Sequence, residues 1–211
     1  MDGLPVRMHR SGAVLMALTV TCATLCLLAT FVSAQAGATS AVGGGSVTLR
    51  TYPPQAEALF VGGIAPLASS PATLRLTGDA WLYSLPVSGG RLDAASGAGT
   101  VSTRGGIIFW GRETMSAWTE LSFTRLVVAT GTHAKLTGIE GTDGKRRVLA
   151  TLDAAHATVR RSTSGGHTWV TVGNLHARLS AWLKGQLTDA FPRYEPSGDR
   201  LGTVTVKARL D

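Results

Sequence analysis

The stretch from Pro86 to Gly111, PVSGGRLDAASGAGTVSTRGGIIFWG, decides the fold class of this chain. Short runs rich in β-branched and aromatic residues alternate with glycines, which is typical of strands joined by tight turns. We expect the glycines to lie between strands and to take the positive φ that hairpin turns require. A phosphate-binding loop would need a helix after its glycine-rich turn, whereas another strand follows here. The stretch closes on Phe109-Trp110-Gly111, and Trp110 either packs in or against the core or faces a ligand.

The same alternation continues on both sides of this stretch and predicts a mainly β protein, an antiparallel β-sandwich or barrel-like domain. Asp143-Gly144 is the clearest hairpin signal, because this dipeptide favours two-residue turns. The predicted strands are Ser46–Tyr52, Ala72–Thr77, Trp81–Val87, Gly99–Thr103, Ile107–Trp110, Trp118–Thr130, His133–Ile139, Arg147–Asp153, Ala157–Ser162, Thr168–Val172 and Thr203–Ala208.

One segment departs from the β pattern and predicts a single amphipathic helix near the C-terminus, over residues 177–191. Its apolar residues, among them Trp182 and Leu183, recur at helical spacing. Asn174 can help to start this helix, and Pro192 can help to stop it. We expect Trp182 to belong to the core.

Residues 1–36 have the three parts of a secretory signal peptide: a basic start, an uncharged apolar run and a small-residue cleavage site. Cleavage is expected after Ala34 or Ala36, and the alternative is an uncleaved membrane anchor, since about 20 apolar residues can span a bilayer. Residues 37–45 are small and glycine-rich, which predicts a flexible linker. The expected domain therefore covers residues 46–211 of a secreted or cell-surface protein.

The chain is basic, with a formal net charge of +7. Removal of residues 1–36 takes away two arginines and one aspartate and leaves +6. A basic exported protein can attract anionic cell-envelope polymers, and its basic residues cluster only at 145–147 and at Arg160-Arg161. No nucleic-acid-binding motif is present, so no nucleic-acid partner is expected.

The sequence contains few of the residues and motifs that support catalysis or metal binding. Both cysteines, Cys22 and Cys26, lie in the signal segment, so the mature chain has no thiol chemistry. Neither a Gly-x-Ser-x-Gly elbow nor a His-Glu-x-x-His motif occurs. The four later histidines are too far apart in sequence for a metal motif. We therefore expect neither an enzyme nor a metal site; these histidines are His133, His156, His167 and His176.

Taken in order, the motifs of residues 74–207 resemble the HtaA family, β-rich domains that bind haem at the surface of some Gram-positive bacteria. The resemblance rests on the 86–111 stretch, on LSFTRLVVAT at 121–130, on the segment 133–139, on RVLATL at 147–152 and on the closing YEPSGD at 194–199. It implies a β domain that binds haem without being an enzyme.

The iron ligands of the family do not carry over to this sequence. In haem-binding members, a tyrosine near the domain start holds the iron, and a histidine after the Phe-x-Gly strand supports it. Here Tyr52 is the only tyrosine near the start and is followed by two prolines, while Phe109-Trp110-Gly111-Arg112 contains no histidine.

The sequence nevertheless offers four candidate ligand-binding residues for haem or another flat apolar molecule. Trp110 and Trp118 bracket a short polar segment and can stack on a planar ligand. Tyr83 and His133 have side chains that can ligate haem iron. The alternative is a structural or adhesive envelope protein that uses the same scaffold and binds no small ligand.

Overall fold

The computed structural model of the protein describes residues 39–112 and 117–211, in which twelve strands and two helices occur. The predicted signal peptide, with its cleavage sites Ala34 and Ala36, lies outside the described residues. The strands are β1 (Thr39–Thr51), β2 (Ile64–Ser69), β3 (Thr73–Thr77), β4 (Ala80–Asp93), β5 (Gly99–Thr103), β6 (Gly106–Arg112), β7 (Trp118–Thr130), β8 (Lys135–Glu140), β9 (Arg146–Asp153), β10 (Thr158–Ser164), β11 (His167–Leu179) and β12 (Arg200–Leu210). The helices are α1 (Pro53–Val61) and α2 (Ala181–Ala190).

Eight of these strands close into an antiparallel barrel, which confirms the predicted fold class. The order around the barrel is β7-β5-β4-β1-β12-β11-β9-β8, and β8 pairs with β7 again. Three further hairpin arms extend the wall: β6 and β2 continue from β7, β3 pairs with β4, and β10 pairs with β11. The first and last strands, β1 and β12, are direct neighbours, with Val47 opposite Val206.

The core fills the inside of the barrel with alternate residues of its strands, as the two-residue period of a strand requires. Val101, Phe123 and Val206 are completely buried and belong to one continuous apolar cluster. Helix α2 covers part of this cluster through Leu183 and Leu187. Trp182 is half-buried and meets Phe123 edge to face at 6.0 Å, so it packs against the core as expected.

Neither α1, with nine residues, nor α2, with ten, reaches the length and apolar character that a membrane-crossing helix needs. This finding applies to residues 39–112 and 117–211.

Three expectations about the elements were wrong, and two elements were not predicted. Residues 39–45 belong to β1 and are not a linker, because Thr39–Ala41 pair with β4, and Val42, Gly44 and Gly45 pair with β12. The late helix begins at Ala181, since residues 177–179 are still paired in β11. Its N-cap is Ser180, whose hydroxyl accepts a hydrogen bond from the backbone N–H of Leu183, and Asn174 lies in β11. Both α1 and β2 were missed.

Five of the seven glycines of the opening stretch have a positive φ, namely Gly89, Gly90, Gly97, Gly99 and Gly105, but only Gly97 and Gly105 lie between strands as expected. Gly89 and Gly90 have φ of 154° and 142° and sit within β4, next to a register shift against β5. A Cβ on Gly90 would lie 2.2 Å from the carbonyl oxygen of Thr100. Gly90 therefore lets the backbones of β4 and β5 approach closely beside a bulge.

Candidate functional site

Tyr83 lies inside the barrel. Its side chain is 1 % exposed, and its hydroxyl has no hydrogen-bond partner in the described part of the chain. Burial raises the pKa of the Tyr83 phenol far above its ordinary value of 10.0, so the group is neutral. It lines an internal apolar cavity of about 20 Å³, enclosed by residues that include Leu49, Phe109 and Leu183. A molecule in solvent cannot reach Tyr83 in this conformation.

Trp110 and Trp118 lie on the outer face of the hairpin formed by β6 and β7. Their rings stack with centroids 4.0 Å apart and planes 7° apart, and the side chains are 37 % and 52 % exposed. The Arg112 guanidinium carbon lies 4.7 Å from the Trp118 ring centroid. Because the rings stack on each other, this aromatic pair offers a ligand its edges and outer surface, not a slot between two rings.

His133 lies in the turn between β7 and β8, where it is exposed. Trp118 begins the 13-residue strand β7 and His133 follows its end, so they are separated by roughly 40 Å of chain along the strand. The structure therefore places the predicted residues in three locations: inside the barrel, on one face of a hairpin, and at a distant turn. Only Trp110 and Trp118 are brought together. Within the described ranges, no three His, Cys, Asp or Glu side chains group as a metal site.

The structure contains a larger open site, which we call the helix–hairpin groove. It lies between helix α1 and the β3–β4 hairpin and has a volume of about 670 Å³. Its lining is mostly apolar and consists of Pro53, Pro54, Ala56, Glu57, Phe60, Leu76, Asp79 and Trp81. Phe60 and Leu76 are 75 % and 70 % exposed, which is unusual for side chains of this size.

Local sequence explains both walls of the groove. Two prolines begin α1, where their fixed φ suits the first helical turn and their missing N–H is not needed. Leu59 is buried in the core, whereas Ala56 and Phe60 are one helical turn apart and both line the groove. The other wall is a hairpin whose two-residue turn, Gly78-Asp79, has its glycine at a φ of 62°.

Trp81 forms the partition between the groove and the interior of the barrel. It lines both the groove and the cavity that contains Tyr83. Its backbone is held in place by Thr51, whose hydroxyl accepts a hydrogen bond from the Trp81 N–H at 2.8 Å. The back wall of the groove is therefore an aromatic ring fixed to β4.

A smaller basic cleft of about 280 Å³ adjoins the groove at Pro53, which lines both. Arg50, Tyr52 and Arg200 line this cleft, and the Arg200 guanidinium carbon lies 4.5 Å from the Tyr52 ring centroid. The two carboxylates of the site, Glu57 and Asp79, line the apolar groove itself. The site thus combines an apolar slot with a positively charged end.

The lining fits a flat apolar ring with acidic substituents, but it does not fit iron coordination. Haem iron in proteins is held by His, Cys, Met or Tyr. Among the described residues, none of these types lines the groove, and Tyr52 in the adjoining cleft has its ring next to Arg200. The groove can therefore hold a porphyrin by its ring and carboxylates, without an axial ligand from its walls.

Sequence reasoning missed this site because it missed helix α1. The available signals were Pro53-Pro54, which suits a helix start, and the adjacent apolar residues Phe60-Val61 before Gly62-Gly63, which suits a helix end. The helix is only nine residues long, so its periodicity was weak.

No protein-family model matches the chain, and no curated protein sequence matches it. Among solved structures, the C-terminal domain of HtaA from Corynebacterium glutamicum matches with 16 % identity and a TM-score of 0.49, covering 80 % of this chain and 99 % of that one. The haem-binding protein HtaB from the same organism matches with 15 % identity and a TM-score of 0.47, covering 82 % and 96 %. A domain-swapped dimer of a variant of the HtaA domain matches with 12 % identity and a TM-score of 0.44, covering both chains completely. The HtaA family named by these solved structures is the one that the motifs from Pro86 onward resemble.

Proposed function

We propose that this protein is an exported, non-enzymatic binding module that holds a flat apolar molecule in the helix–hairpin groove. The observation that carries the proposal is the groove itself, with Phe60 and Leu76 exposed on its facing walls. Its volume of about 670 Å³ is in the range of small-molecule sites. Full burial of a side chain such as Phe60 under a ligand would contribute about 1.5–3 kcal/mol.

Haem is the ligand that the HtaA resemblance implies, and the lining of the groove supports binding of haem through its ring and carboxylates. The porphyrin ring would lie against Phe60, Leu76 and Trp81, and its carboxylates would extend past Pro53 toward Arg50 and Arg200. Because the groove walls supply no iron ligand, recognition would depend on the ring and its carboxylates. The stacked pair of Trp110 and Trp118 is the second surface proposed for the same class of ligand.

The test is a parallel titration of the protein with haem and with metal-free protoporphyrin, followed by tryptophan fluorescence and visible absorption. We expect both to bind saturably near one equivalent and with similar affinity. Binding of haem alone would show that the iron is ligated and would contradict recognition through the ring. Binding of neither would contradict the proposal as a whole.

Variants locate the ligand. Phe60→Ala and Leu76→Ala should each weaken binding by about tenfold, because each removes apolar contact with the ring. Leu67→Ala is the matched control for Leu76→Ala, since Leu67 is also an exposed leucine but lies on β2, outside the groove lining. A loss of affinity in Trp110→Ala but not in Phe60→Ala would move the site to the aromatic pair.

The second candidate function is a structural or adhesive envelope protein that binds anionic polymers. Arg160 and Arg161 favour it, because β10 is exposed along its whole length. Lys145 and Arg147 favour it less, since both form ion pairs with Asp143. Retention on purified cell envelope at low salt, lost at raised salt and in an Arg160→Gln/Arg161→Gln variant, would support it. No retention at low salt would exclude the electrostatic mechanism.

A further inference from the structure

Three arginines from three parts of the chain line one open cleft on the barrel surface, which we call the arginine cleft. They are Arg104 in the β5–β6 turn, Arg125 in β7 and Arg146 at the start of β9. The cleft has a volume of about 490 Å³ and lies apart from the helix–hairpin groove, with no lining residue in common. Its other lining residues are Ser88, Ser102, Thr103 and Val127.

The backbone around the cleft is irregular in two strands. Arg125 has a φ of 47°, a left-handed conformation that is uncommon for a residue with a side chain, and it lies at a register shift between β7 and β8. Ser88 lies at the register shift between β4 and β5. Bulges of this kind re-aim side chains and are frequent next to functional sites.

The Arg146 side chain is fixed toward the cleft by the neighbouring strands. One of its guanidinium nitrogens, Nη1, donates hydrogen bonds at 3.2 Å to the carbonyl oxygen of Arg125 and to the hydroxyl of Thr137. The other guanidinium nitrogens have no partner in the hydrogen bonds found among the described residues. Arg104 is anchored through its backbone, whose N–H donates to the carbonyl oxygen of Pro86 at 2.8 Å.

No carboxylate neutralises this cluster in the described part of the chain. The ion pairs found there involve Lys145, Arg147, Lys184 and Arg209. The contrast with Arg147 is direct: next in sequence to Arg146, it binds both Glu140 and Asp143. Three positive groups around one cleft repel each other, and a bound anion would offset that repulsion.

We propose that the arginine cleft binds the phosphate group of a phosphate-bearing small molecule or lipid headgroup. Guanidinium groups present their donors in a planar fork that matches phosphate oxygens, and serine hydroxyls are further donors. The cleft has room for more than an isolated phosphate ion, which points to a phosphate ester as the natural ligand. This inference does not depend on the ligand of the helix–hairpin groove.

The experiment uses three probes on the purified protein: inorganic phosphate and glycerol 3-phosphate by isothermal titration calorimetry, and phosphatidylglycerol vesicles by co-sedimentation. We expect saturable binding that weakens with salt, and a loss of about tenfold for each guanidinium removed in Arg104→Gln/Arg146→Gln. The matched control is Arg75→Gln/Arg193→Gln, which removes the same charge from two exposed positions outside the cleft.

The outcomes separate the sources of the phosphate group. If glycerol 3-phosphate binds more tightly than phosphate and the cleft variant loses this binding, the ligand is a soluble phosphate ester. If the protein binds vesicles and the cleft variant does not, the ligand is a lipid headgroup. Equal losses in the cleft and control variants would overturn the proposal, because binding would then follow net charge. No saturable binding of any probe would also overturn it. Arg104→Gln alone, at an exposed turn, tests the same point if the double variant does not fold.

Discussion

Tyr83 and Tyr194 are both buried to 1 % exposure, but among the residues that the structure describes, only Tyr194 finds a partner for its hydroxyl. The Tyr194 oxygen accepts a hydrogen bond from Nε2 of Gln55, a residue of α1 that is completely buried. The Gln55 carbonyl oxygen in turn accepts one from the hydroxyl of Ser197 at 3.3 Å. Tyr194 thus connects helix α1, which forms a wall of the groove, to the segment before β12.

Tyr83→Phe should leave the free energy of unfolding unchanged or raise it by about 1 kcal/mol, because it removes a buried hydroxyl that has no partner. Urea denaturation at neutral pH measures the effect. The same variant should bind porphyrin as the parent protein does, since Tyr83 lies behind Trp81. A loss of binding in Tyr83→Phe would mean that the barrel opens to admit the ligand.

Tyr194→Phe is the matched substitution with the opposite expected sign. It leaves the buried Gln55 amide without its acceptor, which should cost about 1–3 kcal/mol of unfolding free energy. The two variants are compared in the same urea titration. Equal effects in both would contradict the role assigned to the hydrogen bond between Gln55 and Tyr194.

Asp143 should make a pH-dependent contribution to stability. The backbone N–H of Lys145, then the Lys145 and Arg147 side chains, hold the pKa of Asp143 below its ordinary value of 3.8. A carboxylate with a lowered folded pKa contributes stability above its unfolded pKa and loses it as the pH falls through the folded value. Asp143→Asn should therefore be less stable than the parent protein at neutral pH, and the difference should shrink as the pH falls below the ordinary pKa of 3.8.

Urea midpoints at several pH values test this dependence, with Asp189→Asn as the control. Asp189 is also an exposed aspartate, but it lies on α2, away from the β8–β9 turn. A gap between Asp143→Asn and the parent protein that stays constant with pH would rule out the ionised carboxylate as its source.

Gly90→Ala should destabilise the barrel more than Gly166→Ala. Both glycines have positive φ, but a Cβ at Gly90 would lie 2.2 Å from the Thr100 carbonyl, while nothing lies within 4 Å of one at Gly166. We expect the difference to be about 2 kcal/mol or more, because Gly90→Ala adds a backbone clash to the conformational strain that both variants share. Thermal or urea unfolding of the two variants side by side would show it, and equal stabilities would argue against a close approach of β4 and β5.

The strands that the sequence predicted best are those with strong β propensity and clear turns. Gly99–Thr103 and Trp118–Thr130 have the predicted bounds. Asp143-Gly144 lies between β8 and β9 as predicted, but the loop runs over residues 141–145 and is longer than a two-residue turn. Strand β2 was missed because it is a short edge strand that contains Pro66, which weakens a strand pattern. Residues 39–45 were misjudged because three consecutive glycines give them little β propensity. This part of β1 is extended because it pairs with β4 on one side and β12 on the other.

The candidate site was harder to predict for a different reason. The groove lies between Phe60 of α1 and Leu76 of β3. Local sequence patterns do not predict that this helix and this hairpin pack next to each other. Trp110 and Trp118 could be paired from sequence, because two strands joined by a short segment face each other. The location of Tyr83 inside the barrel could not be predicted. The sequence of β4 does not show which face of the strand points inward, because that depends on how the barrel closes.

The pairing of the first strand with the last sets a condition on how this protein can form. Val42 lies opposite Leu210, so a chain that lacks Arg200–Leu210 leaves both β1 and β11 with an open edge. Such edges recruit other strands, and contacts over this sequence distance form slowly. Truncation within β12 should therefore produce an aggregating chain and not a smaller barrel.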